Sequence, residues 1–251
     1  MKLLDNKVGM VTGGGSGIGR ATCLKFAAEG AKVLVTDINE QDGQATVELI
    51  KTAGGEAIFA QANVANESEI EAAIQKACSE LGGLHIASNN AALSVGSALL
   101  ADSTAEDFHK TYEITLYGVF YCMKYQIPAM IESGGGSIVN IGSRASQSPN
   151  IMMSAYDSAK AAVNGLTRSA AKEYASQGIR VNCVNPGVVM TQGVEKYLAS
   201  NPKHEPRFLK GISLNRLAKP EELAEAVIWL CSDRSSYITG QSLNVDGGML
   251  S

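Results

Sequence analysis

Tyr156 and Lys160 stand four residues apart in a stretch of helical period, a spacing that puts both side chains on one helix face. An ammonium beside a phenol favours the phenolate, so the pair can give a proton to an oxygen or take one from it. Near the N-terminus, Thr12-Gly13-Gly14-Gly15-Ser16-Gly17-Ile18-Gly19 has the makings of a phosphate site. Small residues let the backbone approach a pyrophosphate, and the start of a helix adds free N–H groups and a favourable dipole. The glycines follow T-G-x-x-x-G-x-G rather than G-x-G-x-x-G. Asp37 comes 18 residues after Gly19, near the roughly 20-residue offset at which a carboxylate meets an adenosine ribose. That anion repels a 2'-phosphate, and neither Ser16 nor Ile38 supplies a cation to hold one. The site reads as one for NAD rather than NADP.

Short β-branched apolar runs alternate with longer segments of helical period, and these must position the reactive groups. Strands are expected at 8–12, 33–36, 57–60, 84–88, 138–141, 181–184 and 243–245, and helices at 17–29, 40–53, 67–81, 104–131, 154–177 and 220–232. Nearly unbroken apolar strands alternating with helices imply an α/β fold with a parallel sheet covered on both faces. Glycines after the helices, such as Gly30, Gly82 and Gly178, mark their ends. Residues 188–213 form a connection longer than usual, the kind of insertion that acts as an active-site lid.

Composition narrows the function. The chain has 251 residues and a formal net charge of -4, with no basic stripe interleaved with aromatics, which argues against nucleic-acid binding. The first six residues carry too short an apolar run for a signal peptide, and no stretch approaches the ~18 apolar residues of a membrane span, so a cytoplasmic protein is expected. Five cysteines without Cys-x-x-Cys spacing suggest reduced packing residues rather than a disulfide framework or zinc site. His85, His109 and His204 lack metal-ligand spacing, and no metal is expected.

With Thr12 to Gly19, Asn89-Asn90-Ala91, Ser143, Tyr156-x-x-x-Lys160, Pro186-Gly187 and Asp246-Gly247-Gly248 in order, the chain resembles the short-chain dehydrogenase/reductase family over essentially its whole length. The resemblance implies one NAD-binding and catalytic domain over 1–251: a doubly wound, Rossmann-type sheet of seven parallel strands with helices on both faces. It also implies a homo-oligomer, a tetramer in preference to a dimer. Tyr156 would then be the general acid/base, Lys160 would hold the nicotinamide ribose and lower the Tyr156 pKa, and Ser143 would orient the substrate oxygen. An ordinary Tyr titrates near 10, so work near neutrality needs a shift of about 3 units, roughly 4 kcal/mol.

The same resemblance gives cofactor-binding roles to Gly13, Ser16, Gly17, Ile18 and Gly19 in the turn and to Asp37 and Ile38 after the second strand. Asn63 and Val64 would flank the adenine, Asn90 and Ala91 would support the cofactor, and Pro186, Gly187, Val189 and Thr191 would meet the carboxamide. Three positions depart from the family pattern. Asn63 stands for an Asp, Ala92 for a Gly, and Thr115 for the Asn that completes an Asn-Ser-Tyr-Lys tetrad. A shorter Thr115 suggests a poorer or differently routed proton relay from Lys160.

The expected activity is hydride transfer between NAD(H) and a small, mostly apolar secondary alcohol or ketone. Within the family, runs 83–87 and 121–125 look like those of enzymes oxidising cyclic alcohols or diols. The alternatives are a 3-oxoacyl thioester reductase, which normally uses NADPH, and a catalytically weak nucleotide-binding regulatory protein. Met152 and Met153 suit either a substrate wall or loop packing, Arg144 either a polar substrate or solvent, and Trp229 either the core or a subunit interface.

Overall fold

The computed structural model describes residues 2–250. Seven strands, β1 (Val8–Thr12), β2 (Lys32–Asp37), β3 (Ala57–Gln61), β4 (Ile86–Asn89), β5 (Gly136–Ile141), β6 (Ile179–Pro186) and β7 (Ser242–Val245), form one sheet. All neighbours pair parallel, in the order β3-β2-β1-β4-β5-β6-β7. The order reverses between β1 and β4. In an open parallel sheet this switch leaves a crevice beyond the strands' carboxyl ends.

Period-two alternation sends successive strand residues to opposite faces. Met10, Leu34, Ile138 and Cys183 join one core, and Val11, Val35, Val139 and Val184 join the other. The first core is closed by α3 (Glu67–Leu81), α5 (Gly118–Glu132) and α6 (Ser154–Tyr174), and the second by α1 (Gly17–Ala28), α2 (Glu40–Thr52) and α9 (Pro220–Cys231). Both faces are dry, so the strands read as continuous apolar runs. No helix among the described residues is long and apolar enough to cross a membrane.

Two expectations need correction. The helix expected at 104–131 is divided into α4 (Ala105–Tyr112), a π-helical turn Glu113–Tyr117, and α5. The apolar period runs through all three, which hides the break; such bulges recur at functional sites. The helix expected to 177 ends at Tyr174, and a 3₁₀ turn Ala175–Gln177 leads to Gly178. Residues 188–213, in turn, hold α7 (Gln192–Ser200) and α8 (Glu205–Leu209), separated by a 3₁₀ turn.

Candidate active site

The glycine turn leaves β1 and enters α1 at the mouth of the crevice. A Cβ at Gly19 would lie 2.0 Å from the carbonyl oxygen of Gly13, so only glycine lets the helix start this close to the strand. Asn90 fastens the turn to β4 by donating from Nδ2 to the carbonyls of Thr12 (3.1 Å) and Gly13 (3.4 Å). The Thr12 hydroxyl accepts from the backbone N–H groups of Asn90 and Ala91 at 3.0 and 3.1 Å. Asp37, at the end of β2, accepts from Gly15 N–H and Asn39 N–H, both at 2.9 Å. A carboxylate offers about four acceptor positions, so two remain. One charged side chain thus shapes the turn and faces the space beside it.

That space is a cleft of about 650 Å³, whose walls include Gly13, Ser16, Gly17, Asp37, Ile38 and Thr191. Its size falls in the 300–1,000 Å³ range of ligand sites. Ile18, Asn63, Val64, Asn90 and Ala91 also line it, whereas Gly19, Pro186, Gly187 and Val189 do not. Gly19 lies behind the turn, and Val189 is buried beside Ala218 in an isolated bridge. Asn63 turns its side-chain oxygen back onto the N–H of Ala65 at 3.0 Å.

Lys196, Asp42 and Gln192 line the cleft too and were missed from the sequence. A signal was present: Thr191 accepts from Val194 N–H as an N-cap, and Val194 and Leu198 face a small apolar cluster. That places Gln192 and Lys196, also four apart, on another face of α7.

Ser143 ends the segment after β5, and Tyr156 and Lys160 lie on the first turns of α6. Ser143 lies beside the Tyr156 phenol and favours its charged form, while its hydroxyl accepts from Ala145 N–H at 3.1 Å. Lys160 Nζ lies 5.7 Å from the centre of the Tyr156 ring and donates to the Ile141 carbonyl at 2.6 Å. Burial pushes the Lys160 ammonium down to about 8. Burial also pushes the Tyr156 phenol up; the neighbouring Ser143 pulls it back, and Asp157 adds to the rise. The expected lowering by Lys160 is not seen in this state: burial is the largest effect on the phenol, and Ser143 is the group that acts to lower it.

Thr115 sits in the π-helical turn and is fully buried. Its hydroxyl accepts from Leu93 N–H at 3.1 Å and donates to Leu93 carbonyl at 2.8 Å. One turn earlier, the Thr111 hydroxyl accepts from Val95 N–H at 3.1 Å. Both bonds tie the Thr115 hydroxyl to the loop after β4.

Arg144 is tied to its own loop, donating to the Ser148 carbonyl at 3.0 Å and to Asn150 Oδ1. Met152 and Met153 line a narrow space with Tyr156. Trp229 is partly exposed on α9.

A family model described as enoyl-(acyl carrier protein) reductase matches residues 13–250. The chain is 42% identical over 249 residues to a 2,5-dichloro-2,5-cyclohexadiene-1,4-diol dehydrogenase of Sphingobium indicum, covering 99% of this chain and 98% of the relative. It is 39% identical over 247 residues to a cyclohexanol dehydrogenase of an Acinetobacter species, covering 98% and 96%. A solved 7α-hydroxysteroid dehydrogenase, complexed with NADH and 7-oxo glycochenodeoxycholic acid, superposes with a TM-score of 0.92. It is 35% identical and covers 98% of this chain and 94% of its own. With the glycine turn, the Ser143–Tyr156–Lys160 cluster and the switch-point crevice on one parallel sheet, the chain belongs to the short-chain dehydrogenase/reductase family.

Proposed function

We propose that this protein is an NAD(H)-dependent dehydrogenase acting on a small, mostly apolar cyclic secondary alcohol or its ketone. The observation that carries this reading is the convergence of Ser143, Tyr156 and Lys160 at the carboxyl edge of a sheet whose crevice ends at Asp37. The alcohol class is supported by the names of relatives that act on cyclohexanol and on a cyclohexadiene diol.

The residues present fit NAD. Backbone N–H groups of Gly13, Ser16, Gly17 and Ile18 would take the diphosphate, with Gly19 permitting their approach. Asp37 would take the adenosine ribose, Ile38, Asn63 and Val64 the adenine, and Asn90 and Ala91 the middle of the cofactor. Thr191, at the end of the segment that Pro186, Gly187 and Val189 begin, would meet the carboxamide, and Tyr156 and Lys160 the second ribose. Bound nicotinamide supplies hydride acceptance from, or donation to, the carbon bearing the oxygen.

In oxidation, the Ser143 hydroxyl holds the substrate oxygen while Tyr156 Oη, as phenolate, takes the hydroxyl proton. Lys160, charged below about pH 8, favours that phenolate and offsets part of its burial cost. In reduction, Tyr156 donates the proton. Thr115 acts through the Leu93 backbone rather than on the proton.

The whole chain works as one domain, with 188–213 as a substrate lid whose α7 lies over the cleft. It assembles as a homo-oligomer, a tetramer before a dimer. Exposed apolar side chains support this: Tyr117 and Phe120 in the groove beside α5 and α6, Trp229 on α9 and Leu243 on the edge strand β7. Five free cysteines suit the cytoplasm.

Steady-state rates with NAD and NADP over a panel of cyclic secondary alcohols test the reading, with a 3-oxoacyl thioester and NADPH as the competing pair. Turnover of an alcohol with NAD is expected. Preference for the thioester would replace the reading, and NADH binding without any turnover would favour a regulatory protein.

A further inference from the structure

Asp157 follows Tyr156 directly and is 5% exposed. Its carboxylate accepts from the backbone N–H of Asn150 and, at 3.2 Å, from Asn150 Nδ2. Asn150 Oδ1 accepts from Arg144, which also donates to the Ser148 carbonyl. A hydrogen-bonded chain therefore runs Arg144–Asn150–Asp157 and fixes the loop between Ser143 and Tyr156 at both ends.

Two residues beyond Asn150, Met152 has a φ of +68°. A non-glycine residue held in the left-handed region costs about 1–3 kcal/mol and persists only where its surroundings impose it. The Asp157 carboxylate anchors the backbone two residues before Met152, at Asn150.

Met152, Met153 and Tyr156 face Val95, Ala98 and Phe108 across a space of about 20 Å³. A space of that size holds about one water molecule. A cyclic alcohol therefore reaches Tyr156 from this side only if one wall gives way. The far wall is pinned through Thr111 to Val95 and through Thr115 to Leu93. The Met152 side, whose backbone gains by relaxing, is the wall that yields.

We propose that Asp157, acting through Asn150, is a positioning residue that holds Met152 as the movable wall of the substrate pocket and so sets the size of alcohol admitted to Tyr156. This rests on the dehydrogenase reading above and names the determinant of its substrate size.

The test compares kcat/KM for cyclohexanol with that for a bulkier bicyclic secondary alcohol in the wild type, Asp157→Asn and Met152→Gly. The NADH dissociation constant of each is measured alongside. Both variants are expected to raise the bicyclic-to-cyclohexanol ratio by about tenfold or more, mainly through KM, because a pocket wall discriminates by roughly 10–200-fold per methylene-sized change. NADH affinity should stay within about twofold of wild type, a modest change on the free-energy scale. Met152→Gly suits the positive φ and keeps the experiment decisive if Asp157→Asn folds poorly; Asp157→Ser, which removes the carboxylate from Asn150, then takes its place. A merely structural Asp157 would lower thermal stability and both rates together, leaving the ratio unmoved, and that result would overturn the proposal. If the wild type oxidises neither alcohol, the dehydrogenase reading itself falls.

Discussion

The ammonium of Lys160 lies 5.7 Å from the centre of the Tyr156 ring, held there by its 2.6 Å hydrogen bond to the Ile141 carbonyl. The lysine is thus placed by the end of β5 as much as by its own helix, and its charge is kept in a buried site at a cost. Burial brings its pKa from 10.5 to about 8.

This has a measurable consequence for stability. Between pH 8 and 10.5 the unfolded chain still binds the Lys160 proton while the folded chain has lost it, so this group's contribution to stability rises with pH across that window. Relative to Lys160→Met, the wild type should gain about 3 kcal/mol between those limits, from roughly 1.4 kcal/mol per unit. Denaturant unfolding of both proteins at pH 7.5, about 9 and about 10.5 checks it. Taking the difference cancels Cys23, Cys122 and Cys231, whose raised thiol pKa values act in the opposite direction; Cys183, which interacts with Lys160, is replaced by Ala in both proteins. A constant difference would mean that Lys160 titrates normally.

Asp37 has two tasks, since it holds the Gly15 N–H at 2.9 Å and lines the cleft. The wild type should prefer NAD over NADP by at least about tenfold in kcat/KM, equivalent to roughly 1.4 kcal/mol. Asp37→Ser should lower efficiency with NAD more than with NADP and narrow that ratio. The one cation lining the cleft among the described residues is Lys196, on α7. If the preference survives Asp37→Ser, discrimination lies elsewhere.

Thr115 clamps a loop. Thr115→Val removes both of its bonds to Leu93, at a cost of about 0.5–1.5 kcal/mol for each. Thr115→Ser should keep the bonds and lose less. Thermal melts of the two variants, with their KM values, distinguish this from a relay role, in which the solvent isotope effect would change even in Thr115→Ser.

Phe120 and Tyr117 are partly exposed on an apolar groove of about 580 Å³ beside α5 and α6. Phe120→Asp should lower the mass measured by light scattering to that of a smaller assembly, because a charge in an apolar interface is costly. An unchanged oligomer would place the interface on another face.

Most of the sheet was legible because buried parallel strands leave continuous apolar runs, and the glycine turn because only glycine fits at Gly19. The π-helical turn around Thr115 was not, since Ile114, Leu116 and Val119 continue an ordinary helical period through it. The Tyr156 and Lys160 pairing was visible from spacing, yet the balance of burial and charge on the phenol depends on packing that spacing does not encode. Lys196 was hidden in a segment read as a loop. The Arg144–Asn150–Asp157 chain was hidden because its members meet through loop geometry.

The central claim is that Tyr156 exchanges the proton while hydride moves between the bound nicotinamide and the alcohol carbon. The most direct measurement is single-turnover reduction of NAD by cyclohexanol in wild type and Tyr156→Phe, with NADH binding titrated in both. The account expects NADH binding within about threefold of wild type and a hydride-transfer rate lower by at least about 10²-fold, the lower range of general acid–base contributions. Hydride transfer at near wild-type rate in Tyr156→Phe would contradict it.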